Sequence, residues 1–243
     1  MKKKSVFLIL LSVACAMFFL GCGANTKTIK NLQALEEGVS SPTTIEELED
    51  AIDKYEARVL DVMLANQQIG IWYKMLGSRY LDAQMYGLAL DAFQKATEYY
   101  PQNPNLYYYV GLCAGYMSKQ ALDYGGTGST AQKYNYLKLS ESGYLRAVEL
   151  DPNYGRALYG LGVLYIFELE QPDAAIPHLE KLLTVETRHT DGMFLLANAY
   201  YQTYEYDKAV AMYDKIIETT TSSEKKAQAE ANKLIVLEAA YAQ

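Results

Sequence analysis

Small and large apolar residues recur along this chain with a period of about 34 positions. In the first occurrence they lie on one helical face, at spacings of three and four residues: Tyr73, Leu76, Gly77 and Tyr80. A second helical face follows at Ala89, Phe93 and Ala96. Pro101 then predicts the end of that helix, because proline lacks an N–H and clashes with the preceding turn. Self-similarity at this period predicts stacked pairs of antiparallel helices, in which small residues allow the close approach.

The pattern returns three more times, with its small seam residue at Gly111, Gly162 and Ala197. In the second occurrence the partner helix, marked by Tyr144 and Ala147, arrives 17 residues late. This delay predicts an insertion at about 119–139, with a glycine-rich turn between two helical extensions. The glycine-rich run lacks the lysine of a phosphate-binding loop, so it does not predict nucleotide binding.

These residues resemble the tetratricopeptide repeat (TPR), whose first helix carries a large-Leu-Gly-Tyr pattern and whose second carries Ala-aromatic-Ala-Pro. The resemblance implies an all-α fold, a TPR-type solenoid of about four antiparallel helix pairs spanning 44–241, with capping helices at both ends. The four units are expected at 70–103, 104–154, 155–189 and 190–223. An amphipathic helix from a Thr-x-x-Glu capping box near residue 44 to about Leu64 is expected to cover the amino-terminal end, and the carboxy-terminal cap is expected at 224–241.

The amino terminus predicts export and lipid attachment. Three lysines precede an apolar run over 6–20, which is typical of a signal peptide and is short for a membrane span. Gly21-Cys22 at its end resembles the lipobox of bacterial lipoproteins, with a signal peptide at 1–21. The resemblance implies acylation of Cys22, a tether over 22–43, and a periplasm-facing position in the cell envelope. A plain cleaved signal or an uncleaved anchor is the alternative, and inner versus outer membrane stays open.

The net charge, the histidines and the cysteines limit the classes of function that the chain could have. The net charge of −7 argues against nucleic acid as a partner, since that needs a concentrated basic surface. Neither His178, expected on the surface, nor His189, expected in a polar turn, has neighbours that suggest a metal or catalytic site. Cys113 is expected to be a small buried residue. The sequence therefore predicts no enzyme activity, no cofactor and no metal.

The concave surface of the solenoid is the expected binding site. The first helix of each unit should line it with residues turned away from the seam: Lys74, Tyr108, Tyr116, Arg156, Tyr159, Phe167, Phe194, Asn198 and Tyr201. Aromatic residues with a few cations suit recognition of protein or peptide partners. The chain is thus expected to be a membrane-anchored scaffold, attached through Cys22.

A second interpretation is a solute-binding accessory lipoprotein of a TRAP-type transport system, which would take a small apolar ligand. The stretch Tyr107–Tyr116, the loop of the insertion and Tyr136–Leu150 together resemble the interrupted helix pair found in those proteins. A closed aromatic cavity would favour this function, and an open groove would favour the scaffold.

Overall fold

A computed structural model describes residues 42–123 and 129–241, and the regular structure in these ranges is entirely helical. The predicted signal peptide, Cys22 and nearly all of the tether lie outside them, as does the centre of the insertion. None of the helices in the described ranges is long and apolar enough to cross a membrane. The helices are α1 (Ile45–Asp82), α2 (Tyr86–Tyr99), α3 (Pro104–Asp123), α4 (Ser129–Leu150), α5 (Gly155–Val163), α6 (Pro172–Val185), α7 (Thr190–Gln202), α8 (Tyr206–Thr219) and α9 (Ser223–Tyr241).

Two units divide the chain, with the boundary between Met63 and Leu64. In the unit that begins at Leu64, every helix from α2 to α8 packs against the next helix in the chain. The buried residues form two clusters, one around Phe93 and Leu106 and a larger one that extends from α4 to α9. This arrangement confirms the all-α, TPR-type solenoid that the repeating pattern predicts.

The seams between paired helices are closed by glycines at the predicted positions. A Cβ atom added to Gly77 would lie 2.9 Å from the ring of Phe93 on the partner helix. At Gly162 the same atom would come within 2.5 Å of the side chain of Leu179. Both distances are far below van der Waals contact. The pattern of glycine facing a large residue therefore sets the spacing between the two helices of a pair.

The amino-terminal helix differs from the prediction. We expected a separate helix ending near Leu64, whereas α1 runs without a break from Ile45 to Asp82. The capping box is present at its start, where the Glu47 carboxylate accepts from the backbone N–H of Thr44 at 3.1 Å. No proline or glycine stands between Leu64 and Ile69, so nothing in the sequence ends the helix at the expected point.

The third unit contains one residue more than the first and fourth units between its seam residue and its partner helix. From the small seam residue to the first alanine of the partner helix there are twelve positions in Gly77–Ala89 and Ala197–Ala209, and thirteen in Gly162–Ala175. A π-helical turn at Leu164–Glu168, continuous with α5, absorbs the extra residue. Such turns accommodate single insertions inside helices and are frequent at functional sites.

The carboxy-terminal helix α9 packs through fewer residues than its sequence suggests. Ala229 and Val236 are its buried positions, and they lie seven residues apart on one face. Leu234, an apolar residue near the end of this helix, is 62% exposed. It precedes Val236 by two residues, and two residues of an α-helix turn the side chain through about 200°.

We expect Gly143→Ala to destabilise the chain by about 1–3 kcal/mol, because the added methyl would lie 2.7 Å from the backbone nitrogen of Gly111 and would force α3 and α4 apart. Gly115→Ala in the same helix pair is the matched control. Its Cβ would meet nothing closer than 3.5 Å, and alanine in a helix interior gains up to about 1 kcal/mol. Urea unfolding followed by circular dichroism measures both, and equal midpoints would contradict the role of the Gly111–Gly143 approach.

Candidate partner-binding site

A cavity of about 230 Å³ lies between α3, α4 and α5. Most of its wall is aromatic or aliphatic, and it includes Tyr108, Leu112, Tyr116, Tyr144, Tyr159, Val163 and Leu164. We call it the first cavity. Tyr116, Lys119 and Arg156 at its rim are exposed, so the cavity opens to solvent along this side. It has the form of a cleft in a groove and not of a closed chamber.

The floor of the first cavity is fixed by Tyr144. Added Cβ atoms on Gly111 and Gly160 would come within 2.7 and 2.8 Å of its ring, so the ring is held between two helix backbones. Burial raises the pKa of the Tyr144 hydroxyl well above its ordinary value, which keeps the group neutral. Beside it, the Ser140 hydroxyl donates to the carbonyl oxygen of Gly111 at 2.8 Å. This floor is therefore rigid and uncharged.

Tyr108 forms one wall of the cavity and belongs to a cluster of tyrosine rings. Its ring centroid lies 5.2 Å from that of Tyr109, 5.9 Å from Tyr144 and 5.8 Å from Tyr154. The hydroxyl of Tyr154 donates to the side chain of Asn105 at 2.7 Å, which anchors the edge of the cluster. An aromatic wall that is already packed in the free protein loses little conformational entropy when a partner binds.

Positive charge predominates at the rim of the first cavity. The Glu168 carboxylate forms ion pairs with Lys119 at 3.7 Å and with Lys133 at 3.6 Å, so two lysines flank this one carboxylate. Arg156 stands at the other end of the lining, and its side chain makes no ion pair or hydrogen bond with the residues that the structure describes. In a chain of net charge −7, this rim is a local site for a negatively charged group.

A second cavity of about 350 Å³ lies farther along the solenoid, between α7, α8 and α9. It combines aromatic rings with side-chain amides, from Phe167, Phe194, Asn198, Tyr201, Tyr213, Gln228 and Asn232. The π-helical turn connects the two sites, since Phe167 reaches the second cavity and the adjacent Glu168 reaches the first. The π-helical turn, which absorbs the extra residue of the third unit, thus contributes a side chain to each of the two cavities.

Eight of the nine predicted groove residues line these two cavities. The first takes Tyr108, Tyr116, Arg156 and Tyr159, and the second takes Phe167, Phe194, Asn198 and Tyr201. Lys74 lies on α1 and lines neither of the two cavities. Their role in binding stays a prediction, but the structure brings them together in two groups of four.

Sequence reasoning missed several residues of the first cavity. Ser140 and Tyr144 have the spacing of seam residues, and they serve the seam and the cavity at once because Gly111 and Gly160 carry no side chains. Glu168 could have been found from the thirteen-residue interval between Gly162 and Ala175, which marks a local irregularity.

One of the two histidines is placed differently from the prediction, and the other lies between two helices as expected. His178, expected on the surface, is half-buried, and its ring stacks on Tyr165 with centroids 5.9 Å apart. Burial lowers the pKa of His178. His189 is more than a turn residue, because its Nδ1 accepts from the backbone N–H of Gly192 at 2.9 Å and caps α7. Cys113 is fully buried as expected, and burial raises the pKa of its thiol to about 12.

Within the described ranges, no group of three or more His, Cys, Asp or Glu residues is arranged to hold a metal ion. The residues that line the two cavities offer apolar contact, hydrogen bonding and charge pairing.

Comparison with known proteins agrees with the fold. Residues 74–114 and 167–231 each match a family described as tetratricopeptide repeat. A TPR repeat-containing protein of Borreliella burgdorferi is 23% identical over 213 residues, which cover 86% of this chain and 90% of the relative. The chain therefore contains tetratricopeptide repeats, and proteins built from such repeats serve generally as non-catalytic scaffolds for proteins and peptides.

Solved structures share the same solenoid at low sequence identity. YrrB, described as a TPR protein with an unusual peptide-binding site, aligns with a TM-score of 0.52 and 23% identity over 86% of this chain and 98% of its own. One crystal structure of MamA aligns at 0.53 and 20% identity, over 77% and 99% of the two chains. Human IFIT1 aligns at 0.57 and 18%, over 76% of this chain and 42% of its own. These similarities concern the fold.

We expect the pH dependence of stability to carry a contribution from His178. Its pKa is lowered in the folded state, so the unfolded chain takes up the proton first as the pH falls through the ordinary histidine range near 6.5. Stability is therefore full above that range and is lost as the pH falls below it. In His178→Gln, the unfolding free energy should fall less steeply between pH 7.5 and 5.5. Parallel curves for the two proteins would contradict this assignment.

Proposed function

We propose that this chain is a lipid-anchored scaffold of the bacterial cell envelope that binds extended peptide segments of partner proteins along the two cavities. The observation that carries the proposal is the first cavity, an open aromatic cleft with unneutralised positive charge at its rim. Its opening toward solvent favours the scaffold over the solute-binding accessory. Among the relatives named above, none is described as a transporter component.

The two cavities suit different parts of one peptide. The first offers apolar volume for a bulky side chain, with Arg156 and Lys119 near its opening for a carboxylate. The second offers the amides of Asn198, Gln228 and Asn232, which can donate to and accept from the backbone of an extended chain. Side chains that fill pockets combined with amides that hold the backbone are a common mode of peptide recognition.

The charge of the site narrows the class of segment. The described lining of the first cavity contains two cations and one carboxylate, and Lys133 approaches that carboxylate from outside the lining. We infer that the preferred segments carry Asp or Glu beside an aromatic or large aliphatic residue. YrrB, with the same fold, is described as having a peptide-binding site, which supports binding of this general kind.

Attachment to the membrane rests on the amino-terminal sequence. The lysines at 2–4, the apolar run over 6–20 and Gly21-Cys22 support export followed by acylation of Cys22. Two or more acyl chains make such an anchor stable, whereas one gives marginal binding. The scaffold would then present its cavities to partners in the periplasm.

Gly115→Leu should fill part of the first cavity, because Gly115 lines the cavity and the nearest atom to its added Cβ would be the Ser140 hydroxyl oxygen at 3.5 Å, an ordinary contact. A phage-displayed library of random 15-residue peptides, selected on the full chain, supplies the probe. Selected peptides should be enriched in acidic residues next to apolar ones, and their affinity for Gly115→Leu should fall at least about tenfold. Gly115→Ala is the size control and should bind as the wild type does.

The charge requirement is tested with the same peptides. Arg156→Gln should weaken binding of the acidic peptides, while Arg188→Gln, which removes an exposed arginine that does not line the first cavity, should not. Salt should reduce the difference, since the pairing is exposed. If the selected peptides bind Gly115→Leu and Arg156→Gln as tightly as they bind the controls Gly115→Ala and Arg188→Gln, the assignment of the first cavity as the binding site is wrong.

Cys22→Ser should abolish lipid attachment. The wild-type chain should be cleaved before Cys22 and incorporate labelled palmitate in its bacterial host, whereas the variant should stay uncleaved and take up no label. Cys113→Ser controls for the other cysteine of the mature chain, which is fully buried. A Cys22→Ser chain that still takes up the label would contradict the proposed anchor.

A further inference from the structure

The unit that begins at Leu64 ends in an apolar face at each terminal helix. On α1, Trp72 is 59% exposed, Met75 54% and Leu76 42%. On α9, Leu234 is 62% exposed. Terminal repeats of a solenoid ordinarily carry a polar outer face, because a bare stacking surface makes the protein associate. The two ends of this solenoid do not follow that rule.

The face on α1 is a repeat-stacking surface without a preceding repeat. Aligning the seam residues Gly77, Gly111, Gly162 and Ala197 gives the positions that correspond to Trp72, Leu76 and Arg79 in the three inner first helices. All nine are buried there: Leu106, Val110 and Cys113 in α3, Ala157 and Leu161 in α5 with Leu164 in the π-helical turn that continues it, and Gly192, Leu196 and Ala199 in α7.

In the inner repeats, the second helix of the preceding pair packs on the first helix that carries these positions: α2 on α3, α4 on α5, and α6 on α7. The exposed side chains on α1 are therefore suited to pack against another helix. Trp72 is also larger than every residue at the corresponding position, so the helix that covers it must offer a small residue there.

The outer side of α9 is an exposed helix face that offers small residues, as a helix packed on Trp72 requires. Turned away from the buried Ala229 and Val236 is an exposed stripe formed by Ala227, Ala231, Leu234 and Glu238. Two alanines form a shallow part of the stripe, Leu234 is the large apolar residue, and Glu238 follows one turn later. Along the helix, the stripe therefore presents small residues first, then a large apolar residue, then an acidic residue.

The stripes on α1 and α9 match in spacing as well as in chemistry. Trp72 to Arg79 spans seven residues, and so does Ala231 to Glu238, which is about 10.5 Å along a helix. With the two helices parallel, Trp72 faces Ala231, Leu76 lies beside Leu234, and Arg79 faces Glu238. Neither the Arg79 nor the Glu238 side chain has an ion pair or hydrogen bond among the described residues, so both charges are available.

We propose that the occupant of the α1 face is the α9 face of a second copy of this chain, which gives head-to-tail self-association. Such a contact joins two different surfaces and is heterologous, so it extends into open chains unless the geometry closes a ring. The cavities of successive copies would then form a longer row of binding sites along the assembly. The proposal does not depend on the identity of the peptide partner.

Two single variants test whether the contact joins the α1 face of one copy to the α9 face of the next. The full chain, purified in detergent, should associate in a concentration-dependent way by sedimentation velocity. Trp72→Glu blocks the α1 face and Leu234→Glu blocks the α9 face, so each alone should associate at least about tenfold more weakly. Both positions are exposed, which leaves the fold intact, and unchanged circular dichroism checks this. Leu88→Glu, at another exposed apolar position, is the matched control.

Mixing the two variants gives the decisive result. Each retains one intact face, so the mixture should form one-to-one dimers and nothing larger. An α1–α1 contact would leave Leu234→Glu fully associated, and a contact with membrane or with another protein would give no dimer in the mixture. Either outcome overturns the proposal, and so does a wild-type chain that stays monomeric throughout the concentration range.

A charge exchange tests the pairing of Arg79 with Glu238. Arg79→Glu and Glu238→Arg should each weaken association, and the double variant should restore it, because each interface again joins opposite charges. A double variant that associates more weakly than either single variant would place these residues outside the contact.

Discussion

The close approach of paired helices at glycine is the constraint on which the rest of this structure depends. Between α3 and α4, Gly143 faces the backbone of Gly111 so closely that a single methyl group would overlap it. Contact at this distance aligns the two helices and leaves Tyr144 to fill the space beside them. Because the same device recurs at Gly77 and Gly162, each pair repeats the geometry of the previous one.

That constraint also creates the first cavity. A glycine leaves the helix surface without a side chain at its position, and Gly160 lets the Tyr144 ring pack directly against the backbone of α5. The ring, held in place and kept neutral by burial, becomes the floor of a cleft whose rim is positive. The site is thus a consequence of seam packing, with Arg156 and Glu168 supplying charge at its opening. Stability and recognition share the same residues.

The features that distinguish this solenoid from a regular array of repeats arise where its sequence departs slightly from the repeat. One additional residue in the third unit produces the π-helical turn that brings Phe167 to one cavity and Glu168 to the other. At the ends, Trp72 and Leu234 occupy positions that a regular repeat would cover or make polar. Function in a repeat protein is expected where the repeat is broken, because regular positions are already committed to packing.

The sequence by itself determined the helix pairs, their seams and the residues that face the groove. A period of 34 residues with small residues facing large ones admits few other folds, and rotation about a helix axis assigns Tyr108, Tyr159 and Phe194 to one side. Only the tertiary structure decided that α1 is continuous, that His178 is half-buried, and that Leu234 faces outward. These outcomes depend on which helix packs against each face. Helical periodicity tells on which side of its own helix a residue lies, but it does not tell which other helix covers that side. The two separate cavities depend likewise on side chains from three helices meeting in space.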